Sequence, residues 1–335
     1  MDFKKRIISI LLTIAVLLLV VNIIWEAVSK DSKEKQVKEV SVSQIEKVFS
    51  RVLDEYGIDS TWISRKKIKE DKYDSVKSKF VVKVPVEVPI TFILRDLNAS
   101  YDTNVVKLTS DEIKNYGNSI VKIYSENKLK LLADLNVDKE LSRSTSEIAF
   151  IISDASDLGS GSFEEVLKST SALDVVLVPS EENIAKIALV DKYSKKYSLL
   201  ISDEISGSKF VMEKDFSKDR LKSAVRSILG AFQDADLFLV DTKSAIYNSA
   251  VYNYVRDEFK KRGKILHPVS DFIDLYKNNN NELISLFNFY CTDGAKGKNR
   301  IFYVSRDKFD VLTNAIGIYK KKGNKVVFPS KLIQK

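Results

Sequence analysis

The stretch from Ile148 to Gly159 constrains this chain more than any other. It reads Ile-Ala-Phe-Ile-Ile-Ser-Asp-Ala-Ser-Asp-Leu-Gly. Its apolar residues follow one another without alternation and stop at a polar loop that carries Asp154 and Asp157. A run of this kind reads as a strand buried on both faces, as in a parallel sheet covered by helices. In α/β proteins the loops that follow such strands carry the functional groups.

After this stretch, strand and helix patterns alternate. Strands are expected at 148–152, 174–178, 198–201, 237–240, 264–266, 300–304 and 325–328. Helices are expected at 180–192, 217–231, 244–262, 280–290 and 306–322. Ser217 is a fitting N-cap, and Gly263 and Gly323 stand where helices end. This alternation predicts an α/β domain over 147–330, built on a parallel sheet or barrel. Periodicity does not choose between an open sheet and a closed barrel.

The remainder of the chain is read as holding that domain outside a membrane. Residues 7–25 are apolar apart from Ser9, Thr13 and Asn22, and follow Lys4, Lys5 and Arg6. As a helix this run spans roughly 28 Å, the thickness of a bilayer core. No small-residue cleavage site follows it, so 1–29 reads as an uncleaved single-pass anchor. The leading cations place its start in the cytoplasm and the body on the outer face of the inner (cytoplasmic) membrane. Residues 30–41 form a charged linker. A small α+β domain is expected over 42–136. It begins with a helix that carries Ile45, Phe49 and Leu53 and ends near Gly57. A basic loop is expected at 65–79, then a strand at 80–90 placed at a sheet edge because of Pro85 and Pro89. A hairpin is expected over 120–135, and a polar linker over 137–146.

Composition excludes more than it suggests. The net charge of +8 is a mild attraction to anionic partners. No zinc-finger spacing, P-loop or basic helix with interleaved aromatics appears, so no nucleic-acid partner is expected. Cys291 is the only cysteine, which rules out an intrachain disulfide. His267 is the only histidine, which restricts acid–base and zinc chemistry severely.

Several motifs, in order, resemble the divergent polysaccharide deacetylases. They are Ile151-Ile152-Ser153-Asp154 with Leu158-Gly159, Leu177-Val178-Pro179, and Met212, Phe216, Ser217 and Asp219. Leu237 to Lys243 with Asn248-Ser249-Ala250, and Asp271-Phe272-Ile273-Asp274, continue the series. The helix and proline-containing strand near the start of the small domain are similar to an N-terminal module of relatives. The resemblance implies an irregular β/α barrel and an exported or membrane-anchored protein. It also implies a divalent metal held by aspartate and histidine, with an aspartate base and a histidine acid. A catalytic zinc needs about three protein ligands and one open position.

This chain departs from that pattern at the positions that matter most. The first aspartate of the family's pair is Ser153, and the histidine expected before Met212 is Val211. Residues 198–202 carry no histidine, and Tyr303-Val304-Ser305-Arg306 stands where Gly-His-Pro is expected. The expectation is a degenerate deacetylase-like domain, without zinc or another cofactor, that binds a cell-envelope glycan or an envelope protein. The competing reading is a working carbohydrate deacetylase or hydrolase with a divalent metal on oxygen ligands. A third is a structural envelope component whose small domain carries the interaction. Candidate binding residues are Asp154, Asp157, Asp203, Asp241, Lys243 and Asp271, with Asp154 and Asp241 the catalytic candidates. Each aspartate also fits the ordinary role of a solvated loop residue or helix cap.

Overall fold

The computed structural model describes residues 13, 15–23, 25, 39–68, 76–113, 117–292 and 300–333. The expected anchor and the charged linker fall mostly outside these. Thr13, residues 15–23 and Trp25 are helical and exposed. Among the described residues, no helix is long and apolar enough to cross a membrane. The chain divides into two compact units. One comprises Met1–Asp54 with Ile58–Ser142, and the other Glu55–Gly57 with Arg143–Lys335.

The first unit is a five-stranded sheet with helices α1 (Val42–Glu55) and α2 (Ile90–Ala99). Its strands are β1 (Ile63–Lys67), β2 (Ser78–Pro85), β3 (Val106–Glu112), β4 (Ser119–Ser125) and β5 (Lys128–Asp138), in the order β1-β2-β5-β4-β3. Ser41 and Gln44 form a capping box at the start of α1, each side chain meeting the other's backbone N–H. Ile45, Phe49, Val52 and Leu53 then fall on one buried face of that helix. Phe49 meets Phe80 of β2 with ring centroids 5.3 Å apart.

The expected hairpin is β4–β5, turned by Glu126 and Asn127 at φ 49° and 60°. Positive φ at both central residues matches the twist of the flanking strands. Two expectations are corrected. The ends of the expected basic loop at 65–79 are strand: residues 65–67 belong to β1, and Ser78 and Lys79 begin β2. The proline-bearing strand is not at an edge: β2 lies between β1 and β5. Pro85 only ends it, and Pro89 is the N-cap of α2, so neither proline interrupts a ladder.

The second unit is α/β, with a curled sheet whose pairings are all parallel. Its strands are β6 (Glu147–Ile152), β7 (Asp174–Leu177), β8 (Lys196–Ile201), β9 (Phe238–Val240), β10 (Leu266–Pro268), β11 (Ile273–Asp274) and β12 (Ile301–Val304). The order is β10-β9-β8-β7-β6-β12-β11, and β13 (Lys325–Val326) pairs with β6 off this path. The described strands form an open path, with β10 and β11 at its two ends, rather than a closed barrel. Helices α3 (Ser160–Leu167), α4 (Glu181–Lys192), α5 (Lys218–Ala231), α6 (Tyr252–Lys260), α7 (Asn280–Cys291), α8 (Arg306–Lys321) and α9 (Pro329–Ile333) complete it. Ile151, Val176, Leu200, Leu239 and Phe302 thus lie on adjacent parallel strands, as the alternation predicts. Ser217 caps α5, and Gly263 and Gly323 follow their helices at φ 73° and 93°.

Four local expectations shift. Residues 244–251 form turns, so α6 is shorter than the pattern suggests. There Ser244, Asn248 and Ser249 donate side-chain hydrogen bonds to nearby backbone carbonyls and compete with the helix. The strand expected at 264–266 runs instead through His267 and Pro268, where an edge position tolerates the proline. The strand expected at 325–328 ends at Val326. Helix α3 and the two-residue β11 were not expected at all.

The core of this unit centres on Phe150, which is fully buried and meets the rings of Phe302, Phe309 and Phe287 at 5.4, 5.2 and 6.1 Å. Phe150→Ala should cost about 3–5 kcal/mol, read as a lowered urea midpoint with unchanged slope.

Asp174 begins β7 fully buried. One carboxyl oxygen accepts from Ser198 Oγ at 2.7 Å, and Oδ1 has no partner among the described residues. Burial pushes its pKa well above the usual 3.8. The folded state therefore holds a proton that the unfolded chain releases above that value. Stability falls as pH rises from there, until the folded group itself ionises. Asp174→Asn should flatten that decline and raise stability at pH 8, measured by urea melts from pH 4 to 8.

Candidate functional site

Because the strands run in parallel, their C-terminal ends open on one side of the second unit. β6 delivers Ser153 and Asp154 there, β8 delivers Asp203 and Glu204, and β9 delivers Asp241. β11 adds Asp274, and β12 adds Tyr303, whose backbone neighbours in the ladder are Ile151 and Asp274. Tyr303 lies on the same strand-end side as these acids. Burial pushes its phenol well above the usual 10, and Asp241, Glu204, Asp154 and Asp274 push the same way. The phenol therefore stays protonated, able both to donate and to accept.

Three of the candidate carboxylates, those of Asp154, Asp203 and Asp241, accept from backbone amides. Asp154 Oδ1 accepts from the Arg306 amide at 2.8 Å and so caps α8 from across the sheet. Asp241 Oδ1 accepts from the Lys243 amide at 2.9 Å. Asp203 accepts from the Ala245 amide through both oxygens, at 2.9 and 3.0 Å. Two acids thus hold the single turn after β9. The side chains of Asp157, Lys243 and Asp271 are exposed.

His267 is half-buried on β10. Burial lowers its pKa, and the nearby Asp271 charge opposes that shift. The candidates therefore divide. Asp154 and Asp241 lie on the strand-end side with Tyr303, Asp203 stabilises the adjoining turn, and Asp271 lies near enough to His267 for its charge to act on the imidazole.

The loop after β6 is held from below. Ser156 Oγ accepts from the Val178 amide at 2.6 Å and from Asn183 Nδ2 at 2.9 Å. The buried ammonium of Lys186 donates to the carbonyls of Ser156 at 2.6 Å and Leu158 at 3.3 Å. The sequence reading missed Ser156, Asn183, Lys186, Glu204, Asp274 and Tyr303. Only the position of Tyr303 in an apolar strand marked it, since a polar end on a buried ring needs a partner.

These groups do not fit a catalytic metal. Among the described residues, no three His, Cys, Asp or Glu side chains are placed to share an ion. The carboxylates that do approach one another are engaged by backbone amides. The arrangement offers hydroxyl-binding acceptors on the side that also carries one phenol. It lacks an activated nucleophile and an imidazole aimed at a common point.

No family model matches the chain, and no curated protein matches it. Among solved structures, it is similar to wild-type BA3943, a CE4 family pseudoenzyme from Bacillus Anthracis, at 10% identity and a TM-score of 0.37. That match covers 72% of this chain and 94% of that one. A BA3943 mutant described as having restored enzymatic activity matches at 11% identity and a TM-score of 0.38, over 72% of this chain and 97% of that one. BA3943 has the polysaccharide deacetylase fold, the family that the sequence resembles. A likeness of this size places no residue of the present chain.

Asp154→Ala removes the acceptor at the head of α8. It should cost about 1 kcal/mol, as loss of a capping side chain does, while Asp154→Asn should lose less. Both are measured by urea denaturation.

Proposed function

We propose that this chain is a membrane-anchored envelope protein whose deacetylase-like domain binds a glycan, or a partner protein that presents one, without hydrolysing it. The observation that carries this reading is the condition of the strand-end carboxylates. Asp154, Asp203 and Asp241 each accept from a backbone amide, and what they leave open is a set of oxygen acceptors on the strand-end side that also carries the Tyr303 phenol. Sugar hydroxyls are donors that such acceptors satisfy, and the tyrosine ring offers an apolar face beside them. Deacetylation would demand more. Without a metal-activated water and a placed base, each contributing orders of magnitude in rate, an acetamide is inert.

The anchor rests on the apolar run at 7–25. Its described side chains from Val16 to Val21, with Ile23 and Trp25, are 45–74% exposed. An exposed apolar stripe of that kind calls for lipid or protein cover. Deleting residues 1–29 would then release the protein from membranes.

Catalysis is tested by acetate release from chitin oligomers and peptidoglycan, run with zinc, manganese and magnesium in turn. The expected outcome is no turnover, with glycan binding weakened at least tenfold by Tyr303→Ala. Turnover abolished by Asp154→Ala or Asp241→Ala would replace this reading with that of an oxygen-ligated hydrolase.

A further inference from the structure

Helices α5 and α6 carry a feature that the strand-end site does not use. On α5, Lys218, Lys222 and Arg226 recur every fourth residue. All three are exposed, and none has an ion-pair partner among the described residues. They flank the buried face made by Leu221, Ala224, Val225 and Ile228, so they form one stripe. Like charges at this spacing repel and cost a helix a few tenths of a kcal/mol per pair. Their repetition is therefore a local cost that an anionic ligand would offset.

The first residue of the stripe, Lys218, meets α6. Tyr254 Oη donates to the Lys218 carbonyl at 3.2 Å. Lys218 Nζ and Lys261 Nζ stand 5.6 and 6.0 Å from the centre of the same Tyr254 ring. Lys261 is itself paired with Glu258 at 2.7 Å, so the unpaired charges of the seam between the two helices are those of α5, repeating about every 6 Å along the helix.

We propose that this seam binds a linear polyanion whose charges repeat at similar spacing along a flexible backbone, specifically a base-free phosphodiester polymer of the poly(glycerol phosphate) type. The seam is a line of charges rather than a plane. No large apolar side chain on α5 or α6 is exposed to enter a lipid surface. Single-stranded nucleic acid would need open aromatic faces on which to stack its bases. Of the two tyrosines on α6, Tyr254 already has two ammonium groups near its ring, and Tyr252 packs on Tyr247 with ring centroids 4.6 Å apart. This site is separate from the strand-end rim and does not rest on the function proposed for it.

The test takes full-length protein reconstituted in neutral-lipid vesicles, so that its N-terminal apolar run is already covered, and titrates it with poly(glycerol phosphate), single-stranded DNA of equal charge, and separate vesicles containing anionic lipid, at several salt concentrations. The expected result is salt-sensitive binding of poly(glycerol phosphate), tighter than that of the other two. Replacing Lys218, Lys222 and Arg226 together by alanine should weaken it at least tenfold. It should also lower the slope of log affinity against log salt by about 2, as loss of three phosphate contacts would. Replacing Arg256 and Lys260, on the other flank of α6, should change affinity less than twofold. Circular dichroism confirms folding of each variant. Equal or tighter binding of DNA or vesicles, or an undiminished affinity in the triple variant, would overturn the proposal.

Discussion

The second unit depends on the burial of β6 between neighbours on both sides. Its backbone is laddered to β7 and β12, and its first residues also to β13. From Ile148 to Ile152 every side chain is fully buried. Each large one contributes about 1.5–3 kcal/mol of transfer free energy, and Phe150 adds three ring contacts. A strand with no solvent face must be covered by helices above and below. Parallel neighbours joined by helical crossovers satisfy that condition. Once β6 is fixed, the direction of the sheet is fixed, and so is the side on which residues 153–158 emerge.

What emerges is then held by short polar contacts. Lys186 is buried in α4, and placing its ammonium there is unfavourable without compensation. Two carbonyls of the β6 loop and the face of Phe163, 5.5 Å away, supply it. Asn183 and Ser156 do the same for the end of β7. The loop that carries Asp154 is therefore rigid because a neighbouring helix needs its carbonyls, and Asp154 in turn satisfies the head of α8. Loop, α4 and α8 are each stabilised by groups that the others leave open.

Much of this was legible in the sequence because it rests on long apolar runs. Residues 148–152, 198–201 and 300–304 lack alternation, and their neighbours carry helical spacing, so strand type and parallel direction follow. The failures share a physical cause. β11 is two residues long, too short to show a period. Residues 244–251 have helical spacing, but Ser244, Asn248 and Ser249 bond their own backbone instead. The site was legible only as acids at strand ends. Asp154 caps α8 while Asp203 and Asp241 serve a turn, and nothing in the spacing distinguishes these roles. Lys186 reads as a surface lysine on its helix until the carbonyls that bury it are known.

The way the strand-end rim is held explains its chemistry. Three of the strand-end acids are fixed by backbone donors: Arg306 for Asp154, Lys243 for Asp241, and Ala245 for Asp203. A carboxylate tied to an amide at 2.8–2.9 Å keeps lone pairs for further donors. It gives up the freedom to swing toward an ion. The same contacts that make the rim stable without metal thus leave it suited to accept hydroxyl hydrogens and poorly suited to assemble a coordination sphere.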